Sequence, residues 1–443
     1  MVLLPQRSVF ACTITVLLTI GTPALGDDAA SAPAGAASAN LEDPGEPTGP
    51  LTLPLSLALA LRRSPELAEF TWEIRASEAR VLQAGLGPNP ELSLLVEDIL
   101  GTGSFEGARQ SQTTLEIGQL LELGGKRRAR IEAASRSRDV ASAEYEVKRA
   151  DVLADVTRKF IQLLERQDLR GAAEADAALG RASLATVSKR IRAGAGSPLE
   201  EKKARIALAR SEVALEDASH DLAVARHLLA ATWGASSDRF DAAEGDLYGR
   251  RPMPSFDELL ERLRSAPELL RRVSEIRLRE AELRTAEAKK VPNLGLTGGV
   301  RRLEGPEEEA FVFGFSMPLP VFDRNQGGRE EARAMIAKAK ATETTSETRL
   351  RATLFTLHQE LLHAAHRLDS LEKDIVPRSE ESVELSQEGF NRGAFSFLDL
   401  LDARRTLVEV KRERIEAAAS YHQFILEIER LIGAPLDAPA AKP

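Results

Sequence analysis

Gly194-Ala195-Gly196-Ser197-Pro198-Leu199-Glu200 and Gly393-Ala394-Phe395-Ser396-Phe397-Leu398-Asp399 are one turn written twice, 199 residues apart. Upstream, Pro65-Glu66-Leu67 recurs as Pro267-Glu268-Leu269, and Pro90 before Leu92 recurs as Pro292 before Leu294, both at an offset of 202 residues. The offset shrinks because the first copy carries a slightly longer polar insert around Gly101–Gly107. A repeat of this length implies two similar supersecondary units, not a solenoid with a period of about 20–50 residues.

Each turn joins two long helical patterns. From Lys126 to about Arg192 there is no proline, and glycine occurs only at Gly171 and Gly180. Tyr145, Val152, Val156, Phe160 and Leu163 make a narrow apolar stripe of coiled-coil type. A continuous helix over that span is about 100 Å long at ~1.5 Å per residue. After the turn, Leu208, Leu215, Leu222 and Leu229 recur every seven residues. The second copy repeats the plan with a helix from about Arg329 to Phe390, the turn, and a helix to about Leu431 bearing Leu401, Val408 and Ile415. Pro377 is expected to kink or break the first of these.

Between the helical patterns lie short period-two segments. Leu92–Glu97 reads as extended, and Thr113, Leu115 and Ile117 alternate with Thr114, Glu116 and Gly118. In the second copy Leu294–Val300 follows Pro292, and Phe311, Phe313, Phe315 and Met317 alternate with Val312, Gly314 and Ser316. The loops Gly101–Gln110 and Leu303–Glu309 are expected to join each pair. Such segments resemble outer-membrane strands. Because an open sheet edge in lipid leaves backbone groups unpaired, four strands per chain imply closure with other copies.

Composition agrees with an exported, helix-rich chain. Of its 443 residues 29% are charged, there are two tryptophans and three tyrosines, and the formal charge of −9 invites no nucleic-acid partner. Residues 1–26 read as a secretory signal, with Arg7, the apolar run Val9–Ile20 and a small-residue site at Ala24-Leu25-Gly26. The only cysteine, Cys12, falls inside it. Residues 27–50 read as a flexible linker, 51–240 as the first repeat, 241–255 as a connecting segment, 256–433 as the second repeat and 434–443 as a tail.

On these residues the chain resembles the TolC-like outer-membrane efflux proteins over essentially its whole mature length. The resemblance is carried by Leu57-Ala58-Leu59-Ala60-Leu61 with Ser64-Pro65-Glu66-Leu67, by Leu121-Glu122-Leu123-Gly124-Gly125-Lys126-Arg127, by Pro318–Gly327, and by Gly393–Asp402. The second and third stretches are most similar to the heavy-metal efflux branch. The resemblance implies a mainly α fold with a small membrane β part: duplicated helical hairpins forming a trimeric α-barrel, topped by a 12-stranded β-barrel with four strands from each protomer. It further implies a belt made by the region before Leu57, the stretch around Ala235–Ser255 and the tail. A homotrimer in outer-membrane lipid, a periplasmic adaptor and an inner-membrane RND-type pump are the implied partners.

No catalytic constellation, cofactor motif or cysteine cluster is present, and Gly124-Gly125-Lys126 departs from a phosphate loop because Arg127 stands where serine or threonine is needed. Candidate function therefore concentrates at the turns. Asp399 and Asp402, at i and i+3, share one face of a helix start. By resemblance they ring the periplasmic constriction, where threefold symmetry would gather six carboxylates; the alternative is that they simply complement the helix dipole. Arg192, Gly194, Gly196, Ser197, Asn391, Gly393, Phe395 and Ser396 are the expected adaptor-contact tips, with Phe390 and Phe395 favouring apolar contact. His358, His363 and His366 invite a metal reading because His363 and His366 lie one helical turn apart, but that pair lacks a nearby third ligand, so no metal site is expected. A periplasmic coiled-coil adaptor and a secreted rod are the competing readings; two hairpins and four alternating strands favour the channel.

Overall fold

Gly124 and Gly125 both adopt left-handed backbone, at φ 73°, and turn the chain from a strand into its longest helix. A side chain at Gly124 would lie 2.5 Å from Val291, so the turn is fixed by a close approach as well as by φ. Replacing Gly124 by valine is therefore expected to lower the melting temperature of the purified protein by several degrees, since both strain and overlap must be relieved. An unchanged melt would show that the turn yields freely.

The computed structural model describes residues 47–194 and 196–437. The expected signal segment, residues 27–46 of the expected linker and residues 438–443 of the expected tail lie outside them. A two-residue strand β1 (Leu51–Thr52) leads into helices α1 (Leu53–Arg63) and α2 (Pro65–Ala84). Strands β2 (Glu91–Glu97) and β3 (Gln112–Leu121) precede α3 (Lys126–Arg192), and α4 (Pro198–Ala231) folds back along it. A short strand β4 (Ala243–Glu244) and helix α5 (Phe256–Leu263) link to the second copy: α6 (Pro267–Ala288), β5 (Leu294–Leu303), β6 (Glu308–Ser316), α7 (Gln326–Ser370), α8 (Val376–Arg392) and α9 (Phe397–Ile432). The 67 residues of α3 span about 100 Å.

Pro377 produces neither a gap nor a loop. A π turn over Leu371–Ile375 lies between α7 and α8, and the wider turn lets the helical path continue past a ring that would otherwise meet the preceding carbonyl. The second-copy strands also run farther than their alternation indicates. Leu303, Glu308 and Glu309 are paired, so residues 304–307 alone connect β5 to β6, with Glu307 at φ 59°.

The four long strands form one antiparallel sheet in the order β2-β3-β5-β6. Pairing of Leu115 with Val300 and of Val300 with Phe311 puts these residues on one face. Leu92, Leu94, Ile117, Leu296, Phe313 and Phe315 share it by the period of two. That face is bare: Phe311, Phe313 and Phe315 are at least 80% exposed. The opposite face is polar, with Ser93 Oγ donating to Glu116 at 3.2 Å and Arg301 donating to Thr114 Oγ1 at 2.9 Å.

Three apolar clusters hold the helical part. The α3 stripe (Val152, Val156, Phe160, Leu163) packs with Leu59, Leu229, Trp233 and Phe240. Leu354, Leu361 and Leu368 of α7 pack with Tyr421, Ile425 and Ile428 of α9. A small cluster of Val187, Ala204, Phe390, Phe397 and Leu400 closes the far end. Val408, expected in the α9 stripe, is 41% exposed instead and borders a groove between the hairpins. Near mid-length, β1 pairs with β4, Tyr421 Oη accepts from Arg251 N at 3.1 Å, and Arg262 donates to Leu436 O at 2.9 Å. The three segments expected to form a belt thus gather at one level of α3 and α9.

One half-buried carboxyl in this region yields a pH prediction. Glu165 on α3 makes no ion pair among the described residues, and burial, reinforced by Glu416 against the opposing Arg166 and Arg412, pushes its carboxyl above 4.5. The folded state therefore holds the proton more tightly than the unfolded one, so this group's contribution is most favourable below 4.5 and is lost as pH rises through its folded value. Glu165→Gln is expected to raise the melting temperature at pH 7 and leave it unchanged at pH 4. Equal shifts at both pH values would remove the ionisation from the explanation.

Candidate gate at the hairpin tips

The two tips are capped in the same way, which is the duplication expressed in hydrogen bonds. Ser197 Oγ accepts from Leu199 N at 3.2 Å, while Glu200 accepts from Ser197 N at 3.2 Å. At the second tip, Ser396 Oγ accepts from Asp399 N at 3.2 Å and donates to the Asp399 carboxylate at 2.7 Å, and Ser396 N donates to the same oxygen at 2.8 Å. Both are serine capping boxes. Asp399 is therefore a helix cap as well as a surface charge. Its bonds from the Ser396 side chain and backbone hold its carboxyl below the usual aspartate value.

Asp402 is exposed and makes no ion pair among the described residues. Asp399 is exposed too, so the pair does share a free face, one turn into α9. Of the expected contact residues, Arg192, Gly194, Ser197, Asn391, Gly393, Phe395 and Ser396 are exposed and Gly196 is half-buried. Gly194 and Gly393 take left-handed backbone at φ 73° and 78°, which closes each helix end. Arg192 Nε donates to Ser188 O at 3.3 Å, and Asn391 Oδ1 accepts from Gln387 at 3.1 Å.

Phe390 and Phe395 part company. Phe395 is 49% exposed, its ring lying over Gly389, where a Cβ would fall 2.1 Å from it. Phe390 is 2% exposed and packs within the protomer against Phe397, so it offers no apolar contact to a partner. The reason is a cross-link between hairpins that the sequence pattern does not signal. The Arg190 guanidinium at the end of α3 donates to the Phe390 carbonyl and lies 4.3 Å from the centre of its ring. A charged donor on a helix-end carbonyl together with a cation over a ring ties the α3 end to the α8 end.

Behind the tips, a groove of about 460 Å³ separates the hairpins, lined by Asp176 and Gly180 of α3, Ala204 and Ser211 of α4 and Arg404 and Val408 of α9. Burial raises the Asp176 carboxyl against the pull of Arg404, and burial lowers Arg404 against the pull of Asp176. His363 and His366 are exposed on α7, and among the described residues no group of three or more potential metal ligands comes together.

At the sheet end, Arg130 donates to both oxygens of Glu122, at 2.6 and 3.0 Å, and to the carbonyls of Ala84 and Leu86. Lys126 donates to Asn293. These bonds join the end of α2, the start of α3 and the start of β5, where the strands meet the helices.

The sequence profile of the outer membrane efflux protein family matches residues 57–235 and 259–434. The chain is 32% identical over 390 residues to the cobalt-zinc-cadmium resistance protein CzcC of Cupriavidus metallidurans, spanning 88% of this chain and 92% of that one. The nickel and cobalt resistance protein CnrC of the same species is 28% identical, over 67% of this chain and 69% of its own. Among solved structures, the outer membrane protein VceC of Vibrio cholerae superposes with a TM-score of 0.71 at 17% identity, covering 87% of this chain and 97% of that chain. CusC superposes with a TM-score of 0.67 at 16% identity, covering 86% and 92%. Its exposed apolar sheet, its paired hairpins and its profile agree: the chain belongs to the outer membrane efflux protein family.

Proposed function

We propose that this outer-membrane efflux channel works as a homotrimeric duct, receiving cargo through an adaptor and an RND-type inner-membrane pump, and that the cargo is heavy-metal cations. The observation that carries the duct is the four-stranded sheet, which has one bare apolar face, one polar face and, among the described residues, two unpaired edges. A membrane sheet of that kind is satisfied only by closure with further copies. The cargo reading rests on the near-full-length similarity to the cobalt-zinc-cadmium and nickel-cobalt resistance proteins. The chain itself supplies no energy source; the pump would.

Within that reading the tips form the gate and the docking end, and Asp399 with Asp402 would place up to six carboxylates around the mouth. The Asp399→Asn, Asp402→Asn double variant is expected to reduce cation over anion selectivity in planar bilayers, read as a shift of the reversal potential toward zero under a salt gradient. An unchanged reversal potential would leave Asp399 as a cap alone. The cargo is tested in cells: deletion of the gene is expected to lower tolerance to cobalt, zinc or cadmium, restored by the intact gene. Loss of tolerance to organic compounds alone would overturn the metal reading while keeping the channel.

A further inference from the structure

The apolar rows of the sheet are short for a membrane. From Leu115 to Leu121, from Leu294 to Val300 and from Phe311 to Met317 each row covers six residue steps, about 20 Å along a strand at ~3.3 Å per residue. With strands tilted by about 35–45° that is roughly 15 Å of height, against an apolar band of about 25 Å. Exposed apolar residues continue beyond the strands at both ends. They are Ile99, Leu100 and Phe105 in the loop after β2, and Leu319, Val321 and Phe322 between β6 and α7. Phe322 is 91% exposed and Leu319 79%.

The two ends differ in charge. At the loop end Arg109 pairs with Glu106 at 4.0 Å, Arg301 with Glu97 at 3.7 Å and Arg302 with Glu304 at 2.8 Å. At the helix end Arg127, Arg128, Lys289, Lys290 and Arg324 are all exposed, and none forms an ion pair among the described residues. Lys126 donates to Asn293, and Asn325 Nδ2 donates to Ala286 O at 2.7 Å. The start of α3, the end of α6 and the start of α7 therefore stand at one level, and the cations form a collar there. Local structure does not account for all of them. Lys289 and Lys290 suit a helix C-terminus, but Arg127 and Arg128 sit in the first turn of α3, where a cation opposes the helix dipole. Those two destabilise the helix start unless negative charge from outside the chain offsets them.

We infer that this collar holds the phosphate headgroups of anionic phospholipids in the periplasmic leaflet, while Leu319, Val321 and Phe322 enter the acyl chains beside them. The apolar loop continues the row of β6 past its last paired residue, Ser316. Long basic side chains can lie along that apolar surface with their charged ends among the headgroups. The loop end, where cations are matched by acids, has no such surplus. The collar thus decides which end of the sheet sits in the phospholipid leaflet, and how deep. A single copy carries the whole surface, so the inference depends on neither the trimer nor the cargo.

The test titrates the full chain in detergent with phosphatidylglycerol or phosphatidylethanolamine and counts bound lipid by native mass spectrometry. Preferential retention of phosphatidylglycerol is expected. The quadruple variant Arg127→Gln, Arg128→Gln, Lys289→Gln, Lys290→Gln should lose at least tenfold of that preference, given roughly fivefold for each cation near an anionic headgroup. Arg109→Gln with Arg302→Gln, at the loop end, should leave it unchanged. Equal retention of both lipids by the parent, an unchanged preference in the quadruple variant, or an equal loss in the loop-end variant would each overturn the collar. Inorganic phosphate at matched ionic strength should not displace the lipid; displacement would reassign the cations to free phosphate. Insertion is read separately in vesicles of phosphatidylglycerol with brominated acyl chains. The fluorescence that Phe322→Trp adds to that of Trp72 and Trp233 is expected to be quenched there, and an unquenched signal would put the loop in water and overturn its insertion.

Discussion

Phe313→Arg is expected to stop the sheet from assembling in the outer membrane while leaving the helical part able to fold. Phe313 sits between Phe311 and Phe315 on β6, all three at least 80% exposed, and it pairs with Gly298, which offers no side chain to cover it. In water, such a row would be an adhesive edge strand. In hydrocarbon it is at home, and there an arginine costs about 2–4 kcal/mol near the midplane, repeated in every copy. The residue spacing supplies its own control. Ser93 lies on the opposite, polar face, hydrogen-bonded to Glu116 at 3.2 Å, so Ser93→Arg adds the same charge beside an acid and is expected to assemble normally. The readout is the fraction of protein recovered in outer membranes as a heat-modifiable oligomer. If Phe313→Arg assembles as well as Ser93→Arg, the phenylalanine row does not face lipid.

The helical framework was legible because helices announce themselves over many residues. The span from Lys126 to Arg192 has no proline, and its stripe of Val152, Val156, Phe160 and Leu163 is the cluster that packs. The strands were legible as alternation, but their ends were not, because Leu303, Glu308 and Glu309 look like loop residues and are held by pairing with neighbours. The tips were half legible. The repeated glycine turn was read, whereas the serine followed three residues later by an acid, which marks a capping box and forms one at each tip, was not. What no local pattern carries is contact between segments 200 residues apart. Arg190 reads as one more basic residue at a helix end, where the dipole alone would justify it. Phe390 reads as an exposed aromatic because its partners Val187, Ala204 and Arg190 come from the other hairpin.

That long-range contact gives the second large expected effect. Arg190→Ala is expected to raise the resting conductance of the reconstituted channel by roughly one order of magnitude. The guanidinium joins the ends of α3 and α8 through the Phe390 carbonyl and ring. A hydrogen bond to a charged group contributes about 1.5–3 kcal/mol and a cation over a ring about 0.5–2 kcal/mol. With the partial exposure of Arg190 discounted, about 1.4 kcal/mol remains, which is a tenfold change in the balance between joined and separated tips. The carbonyl is not orphaned by the change, since Gly393 N also donates to it at 3.1 Å, so the variant tests the link and not a buried unpaired group. Arg190→Lys keeps the charge without the planar fork and should fall between the two, while Phe390→Leu removes the ring face and keeps the carbonyl. A gating link predicts that conductance rises in the order Arg190→Lys, then Arg190→Ala, with little change in melting temperature. A purely packing role predicts the reverse: lower melting temperature, greatest for Phe390→Leu because of its buried ring, and a conductance that does not move.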